Sequence, residues 1–138
     1  MTYREAYETW LKEFADDQAT VDELKAIAGD EKEIEDRFYT ELSFGTAGMR
    51  GVLGAGTNRM NVFTVGKATQ GYANYLKAHF AAPSVAIAYD SRINSRLFAE
   101  TAAGVFAANG IRVYIYPRLM PTPSLSFAVR DLRCDGGV

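Results

Sequence analysis

The stretch from Ser84 to Tyr116 restricts the fold more than any other part of the sequence. Ser84 to Tyr89 reads as a strand, Ser95 to Asn109 as a helix stopped by Gly110, and Ile111 to Tyr116, rich in β-branched and aromatic residues, as a second strand. Two strands joined through a helix form a βαβ unit, whose strands run parallel with a right-handed crossover. A further helix, capped by Thr122 with Pro123 at its first position, would open another crossover. Cys134 to Val138 should then lead into a third strand, with the chain ending before that strand forms. A sheet left with an open edge or a gap suggests a segment of a larger domain.

The first forty residues have a different period. Apolar side chains recur every three or four positions, at Tyr7, Trp10, Leu11 and Phe14 and again at Val21, Leu24 and Ile27, which is the spacing of one helix face. Thr2 with Glu5, and Thr20 with Glu23, read as capping boxes, each placing a hydroxyl and a carboxylate beside the free amides of a first turn. Gly29 can end the second helix, and a third, from Glu31 to about Leu42, carries Ile34, Phe38 and Leu42 on one stripe. Residues 1–42 thus read as a helical extension and residues 43–138 as an incomplete α/β domain.

Between these parts, Gly45, Gly48, Gly51, Gly54 and Gly56 interrupt short apolar pieces. Glycines at this density suit a loop or ribbon whose backbone is open to a ligand. Asn61 then offers a cap for a helix to about Phe80, with Val62, Val65, Thr69, Tyr72 and Leu76 facing inward. Gly66 and Gly71 weaken that helix by about 1 kcal/mol each relative to alanine, and close backbone packing would be a reason for them.

Composition excludes several classes. With 48% hydrophobic and 23% charged residues the balance is globular, and a net charge of −2 lacks the broad positive field of sequence-independent nucleic-acid binding. Apolar runs such as Val85 to Tyr89 fall far short of the roughly 20 residues of a membrane span. Arg4, Glu5 and Glu8 stand where a signal peptide needs an apolar core, so the expected location is cytoplasmic. Cys134 is the only cysteine, so neither an internal disulfide nor a cysteine metal site can form.

Ligands of parallel α/β sheets bind at the carboxyl ends of the strands. There the sequence places Asp90-Ser91-Arg92 after the first strand and Pro117 to Thr122 after the second, where Arg118 and a helix start favour an anion. The alternative is that Asp90 and Arg92 pair with each other and cap the Ser95 helix; the residues leave both readings open. Phe44-Gly45-Thr46-Ala47-Gly48-Met49-Arg50-Gly51 is the most distinctive run, with glycine on both sides of Met49-Arg50 and an arginine able to present two parallel donors to phosphate oxygens. A structural turn with a solvated arginine is the competing reading. Gly54-x-Gly56 lacks the third glycine of a dinucleotide loop, and Gly66-Lys67 is followed by Ala68 and lacks the P-loop's first glycine at Asn61. His79, the only histidine, sits near a helix C-terminus and reads as structural. No metal cluster or Ser/His/Asp set can be assembled.

The run Phe44 to Gly51, with Gly54 to Gly56 and Asn58-Arg59-Met60-Asn61 behind it, closely resembles the start of the α-D-phosphohexomutases, the phosphoglucomutase and phosphomannomutase family. Tyr89-Asp90-Ser91-Arg92 is similar to the family's strand-end motif, and Met120-Pro121-Thr122-Pro123 to its helix start. Asp135-Gly136-Gly137-Val138 is similar to the lead into the strand bearing its Thr-Ala-Ser-His-Asn-Pro loop, which does not occur here. The long helical head resembles the branch with phosphoglucomutases and phosphopentomutases, and Ala47, where glucosamine-type mutases have Asp, disfavours those.

The resemblance implies a three-layer mixed α/β sheet with helices on both faces, cut before a central strand. It implies a four-domain parent enzyme in which a phosphoserine passes its phosphoryl group to a sugar phosphate, giving a bisphosphorylated intermediate that returns the other group. Mg²⁺ and a sugar bisphosphate activator belong to that parent, with no cofactor and no metal ligand expected in these residues. Arg50 would contact the phosphoserine, which is absent from the chain, while Thr46, Gly48, Gly51, Asp90, Arg92 and Thr122 are candidates for the phosphate and substrate loops. Expected partners are the phosphosugar and the remaining domains of the same chain, with no nucleic acid and no membrane. The exposed sheet edge would also let the segment self-associate. By itself the segment should be inactive. Phosphopentomutase and sugar-bisphosphate synthase are alternatives within the family, and a non-catalytic phosphate-binding or regulatory module is the alternative outside it.

Overall fold

A computed structural model describes every residue of the chain except Ala47, so the contrast drawn at that position lies outside the described residues. The fold is α/β, with six helices and two small sheets among the described residues. The chain divides into two compact units, Met1–Thr64 and Val65–Val138.

In the first unit, α1 (Tyr3–Glu13), α2 (Gln18–Ala26) and α3 (Glu31–Phe38) enclose a core of Tyr7, Trp10, Leu24, Ile34 and Phe38. Trp10 meets Phe14, Phe38 and Phe63 edge-on, with ring centres 4.8, 5.7 and 5.7 Å apart, a favoured geometry for aromatic quadrupoles. Ala55 and Phe63 pack into the same core, so the compact unit runs past residue 42 to Thr64. The Thr2–Glu5 capping box forms as expected, each residue's side chain accepting from the other's amide. The second box does not. α2 starts earlier, on Asp17, whose carboxylate accepts from the Thr20 amide and hydroxyl, and Glu23 is drawn instead to Arg37 and the Ala55 amide. α3 stops at Phe38 rather than near Leu42, because the Leu42 amide leaves the helix to bond the Thr57 carbonyl at 2.9 Å. Beyond it, β1 (Phe44–Gly45) and β2 (Gly48–Met49) form an antiparallel ribbon, pairing Phe44 with Met49 and Gly45 with Gly48.

In the second unit, a parallel sheet carries β3 (Ser84–Ile87) between β4 (Arg112–Ile115) and β5 (Gly136–Gly137). The third strand, expected just past the end of the chain, therefore begins within it, with Val138 also bonding Ala86 and Ala88. All described strands of this sheet run parallel, and the antiparallel pairing lies in the separate ribbon. Successive side chains on a strand face opposite sides. Val85 and Ile87 accordingly join Ala73 and Leu76 of α4 (Val62–His79) and Ala99, Ala102 and Phe106 of α5 (Ser95–Ala108) in one core. The other face is covered by α6 (Thr122–Asp131), which packs on β3 and β5.

The two glycines of β5 are the thin place between these layers. A methyl group on Gly136 would run into the Tyr72 hydroxyl of α4, and one on Gly137 would meet Val129 of α6 at 2.8 Å and the Ala86 carbonyl oxygen at 3.3 Å. Neither Gly66 nor Gly71 of α4 has a neighbour closer than ordinary van der Waals contact, so close packing does not account for them.

Candidate functional site

The ribbon positions the first set of candidates. Ser43, Gly45, Thr46, Gly48 and Arg50 line a concavity of about 410 Å³. Thr46 stands at the turn of the hairpin and Arg50 follows β2 directly. Among the described residues, the Arg50 guanidinium has no hydrogen-bond or ion-pair partner, and the residue is exposed. Gly51 is not among the lining residues, and a methyl group on it would meet Leu42 Cδ1 at 2.6 Å. A free guanidinium on a backbone of small residues is the geometry that can bind an oxyanion with two parallel donors.

The segment that follows the ribbon is closed by its own hydrogen bonds. Met60 donates to the Val52 carbonyl at 2.8 Å and Gly54 to the Met60 carbonyl at 3.2 Å, closing residues 52–60 into a loop. Asn61 serves two purposes there. Its Nδ2 donates to the carbonyls of Gly54 (2.8 Å) and Gly56 (3.0 Å), while its Oδ1 accepts from the amides of Phe63 and Thr64 as the cap of α4.

The second set lies at the carboxyl edge of the parallel sheet, in the second unit. Asp90 Oδ1 accepts from the Ser95 hydroxyl at 2.6 Å and from the Arg92 amide at 3.0 Å, and Oδ2 accepts from Arg92 Nε at 2.7 Å. The pairing of Asp90 with Arg92, one of the two readings left open by the sequence, is therefore present, with the Ser95 hydroxyl as its anchor on α5. These bonds, Ser95 first and the Arg92 amide next, hold the Asp90 carboxyl below the ordinary aspartate range. Asn94, at the cap position of α5, is left-handed and makes no side-chain capping bond. The loops after β3 and β4 are joined where Met120 donates to the Tyr89 carbonyl at 3.0 Å. Pro121, and not Thr122, is the cap residue of α6; Thr122 is exposed in the first turn, with Pro123 behind it. Pro121 has no donor or acceptor side chain, so no side-chain bond closes this helix start.

The structure thus gathers Thr46, Gly48 and Arg50 in one concavity and places Asp90, Arg92 and Thr122 on the sheet edge of the other unit. Ser43 and Ser95 were missed from sequence, Ser43 because it precedes the glycine run, Ser95 because it was read only as a helix start. His79 stacks on Tyr75 with ring centres 4.1 Å apart, and its Nδ1 lies 2.8 Å from the Tyr75 carbonyl oxygen, a structural arrangement. Among the described residues no three His, Cys, Asp or Glu side chains gather into a metal-binding group, and no helix is long and apolar enough to cross a membrane.

A parallel sheet with helices packed on both faces defines a protein of the α/β class. The chain matches the phosphoglucomutase/phosphomannomutase alpha/beta/alpha domain I over residues 41–138 and belongs to that family. It is 47% identical to a phosphoglucomutase of Staphylococcus epidermidis over 107 residues, which cover 78% of this chain and 20% of that protein. It is 40% identical to a phosphoglucomutase of Staphylococcus aureus over 132 residues, or 94% of this chain and 24% of the relative. The chain therefore spans about a fifth to a quarter of the length of these curated relatives. No solved structure matches it.

Proposed function

We propose that these residues form the N-terminal part of a mutase that interconverts sugar 1-phosphates and 6-phosphates through a phosphoserine and a bisphosphorylated sugar, with Arg50 holding phosphoryl oxygens. The observation that carries this reading is the Arg50 guanidinium, without a partner among the described residues, at the small-residue concavity of Ser43, Gly45, Thr46 and Gly48, inside the span of the family match. A phosphoryl group carries its charge on oxygens that accept parallel N–H donors, and phosphoryl transfer is catalysed chiefly by positioning and electrostatic stabilisation.

In this reading the serine, the sugar-reading loops and the metal site belong to the longer protein. There the serine O–P bond breaks as the sugar hydroxyl forms its own O–P bond, and the hydroxyl proton passes to the serine side. Mg²⁺ and a sugar bisphosphate activator belong to the same reading, as does a cytoplasmic location. Among the described residues no three His, Cys, Asp or Glu side chains gather to hold that metal. Asp90, Arg92 and Thr122 are kept as candidates for contact with the phosphosugar, and residues 1–42 are assigned to an extension ahead of the family domain, whose match opens at residue 41.

Two measurements test the proposal. The 138-residue chain with glucose 1-phosphate and Mg²⁺ is expected to give no turnover, whereas the full-length protein turns over; activity from the chain alone would overturn the division of labour. In the full-length protein, Arg50→Ala should remove a charge-assisted contact, lowering kcat/KM by the equivalent of about 1.5–3 kcal/mol. Unchanged kinetics and an unchanged phosphoserine level would remove Arg50 from the site and leave a non-catalytic module as the better description.

A further inference from the structure

The loop of residues 52–60, which follows the ribbon, is gripped by residues of the helical head that precede the family match. Arg37 of α3 is the centre of this grip. Its Nε donates to Glu33 at 2.8 Å, and its Nη1 donates both to Glu23 of α2 and to the Ala55 carbonyl at 3.1 Å. Glu23 in turn accepts from the Ala55 amide at 3.1 Å, so one residue of the loop, Ala55, is held at both its amide and its carbonyl by a single ion pair. The Arg37 carbonyl accepts from the Asn58 amide at 2.9 Å. Arg59, 6% exposed, reaches back to Asp36 and lies 3.7 Å from Glu33, so the Glu33 carboxylate is shared by two guanidinium groups.

The fit leaves no room for adjustment. Gly56 has φ +134°, and a methyl group on it would meet the Arg37 carbonyl oxygen at 2.8 Å and Arg37 Cβ at 2.9 Å. The loop so held is hydrogen-bonded through Met60 to Val52, two residues after Arg50, while Leu42, just past α3, backs Gly51. A chain of direct contacts therefore runs from α2 and α3 to the peptide that carries the phosphate-facing arginine.

We infer that Arg37, clamped by Glu23 and Glu33, is a positioning residue for Arg50, so that the helical head sets the geometry of phosphoryl contact as well as covering apolar surface. This rests on the assignment of Arg50 made above. A guanidinium is required because three acceptors in different directions must be served at once by a rigid fork, which a lysine ammonium on a flexible stem does not reproduce. Misplacing a reacting group by about 1 Å can lower a rate by roughly a hundredfold.

The test uses the full-length protein and four variants assayed below their melting temperatures: Arg37→Lys, Glu23→Gln, Arg50→Ala and, as a control for lost stability alone, Val21→Ala in the same unit's core. Arg37→Lys and Glu23→Gln should lower kcat by roughly tenfold or more with KM for the sugar phosphate unchanged, lysine failing to rescue. Val21→Ala should lower the melting temperature and leave kcat unchanged. In the 138-residue chain, amide exchange at Gly54 and Met60 should quicken at least roughly tenfold in Arg37→Lys, with amides of α5 unaffected, since their protection depends on the clamped loop. If Arg50→Ala lowers kcat/KM but Arg37→Lys and Glu23→Gln both stay within about twofold of the parent kcat, the positioning role is wrong and the Arg50 assignment stands. If Arg50→Ala itself has no effect, both fall.

Discussion

At the scale of single residues, the strongest constraints come from side chains that have one geometry available. Gly136 leaves no space for a Cβ against Tyr72, whose hydroxyl pKa is raised, chiefly by burial. Gly136→Ala should therefore destabilise the chain by about 1–3 kcal/mol, as overpacking does, and Tyr72→Phe should recover part of that loss by removing the colliding oxygen. Denaturant midpoints of the two single variants and the double variant give the coupling directly. Asp90 supplies a pH prediction. Its folded pKa is depressed, so the stabilisation it contributes is present above the unfolded value and is lost as pH falls through the folded one. Ser95→Ala removes the largest cause, and the Asp90 carboxyl ¹³C titration should move upward; an unmoved midpoint would mean that the Arg92 contacts alone set it.

At the scale of elements, helix boundaries followed hydrogen-bond partners rather than apolar spacing. The stripe at Val21, Leu24 and Ile27 correctly marks a helix, but the helix begins where a carboxylate can reach the Thr20 amide, at Asp17. Asp17→Ala should then cost about 1 kcal/mol, the usual loss for an N-cap, with Thr20→Ala costing less; the reverse order in urea titrations would restore the capping box expected from sequence. Similarly, α3 ends before its third stripe residue because the Leu42 amide is taken by Thr57. A residue 15 positions away cannot be anticipated from local periodicity. The βαβ elements were easier, since long-period patterning and Gly110 bound them from within the segment, and their observed limits fall within a residue or two of the expected ones.

At the scale of the whole molecule, the chain has two cores of different character, one rich in edge-on aromatic rings and one of aliphatic and small residues around a parallel sheet. Trp10 is the only tryptophan, so its fluorescence reports on the first core by itself. Leu24, fully buried in that core, should cost about 2–5 kcal/mol when replaced by alanine, and the Trp10 unfolding midpoint should fall accordingly. A midpoint unchanged in Leu24→Ala would show that this core contributes little to the unit's stability. The helical head, expected as an extension, holds the glycine loop through Arg37, Glu23 and Asp36, and only folded coordinates could reveal that.

What the sequence determined by itself was local or repeated: helix faces from spacing three and four, two parallel strands from a βαβ pattern, and an arginine set among glycines as the phosphate candidate. Each of these depends on residues close in the chain, where backbone geometry is dictated by immediate neighbours. The tertiary structure decided the rest. It showed which carboxylates Arg37 holds, that Asp90 is engaged by Ser95 and Arg92 while Arg50 is unpaired among the described residues, and that Tyr72 and Val129 occupy the space above Gly136 and Gly137. Those pairings join residues up to 64 positions apart, as with Tyr72 and Gly136. They are selected by packing and by the cost of leaving buried polar groups unpaired, which no local pattern records.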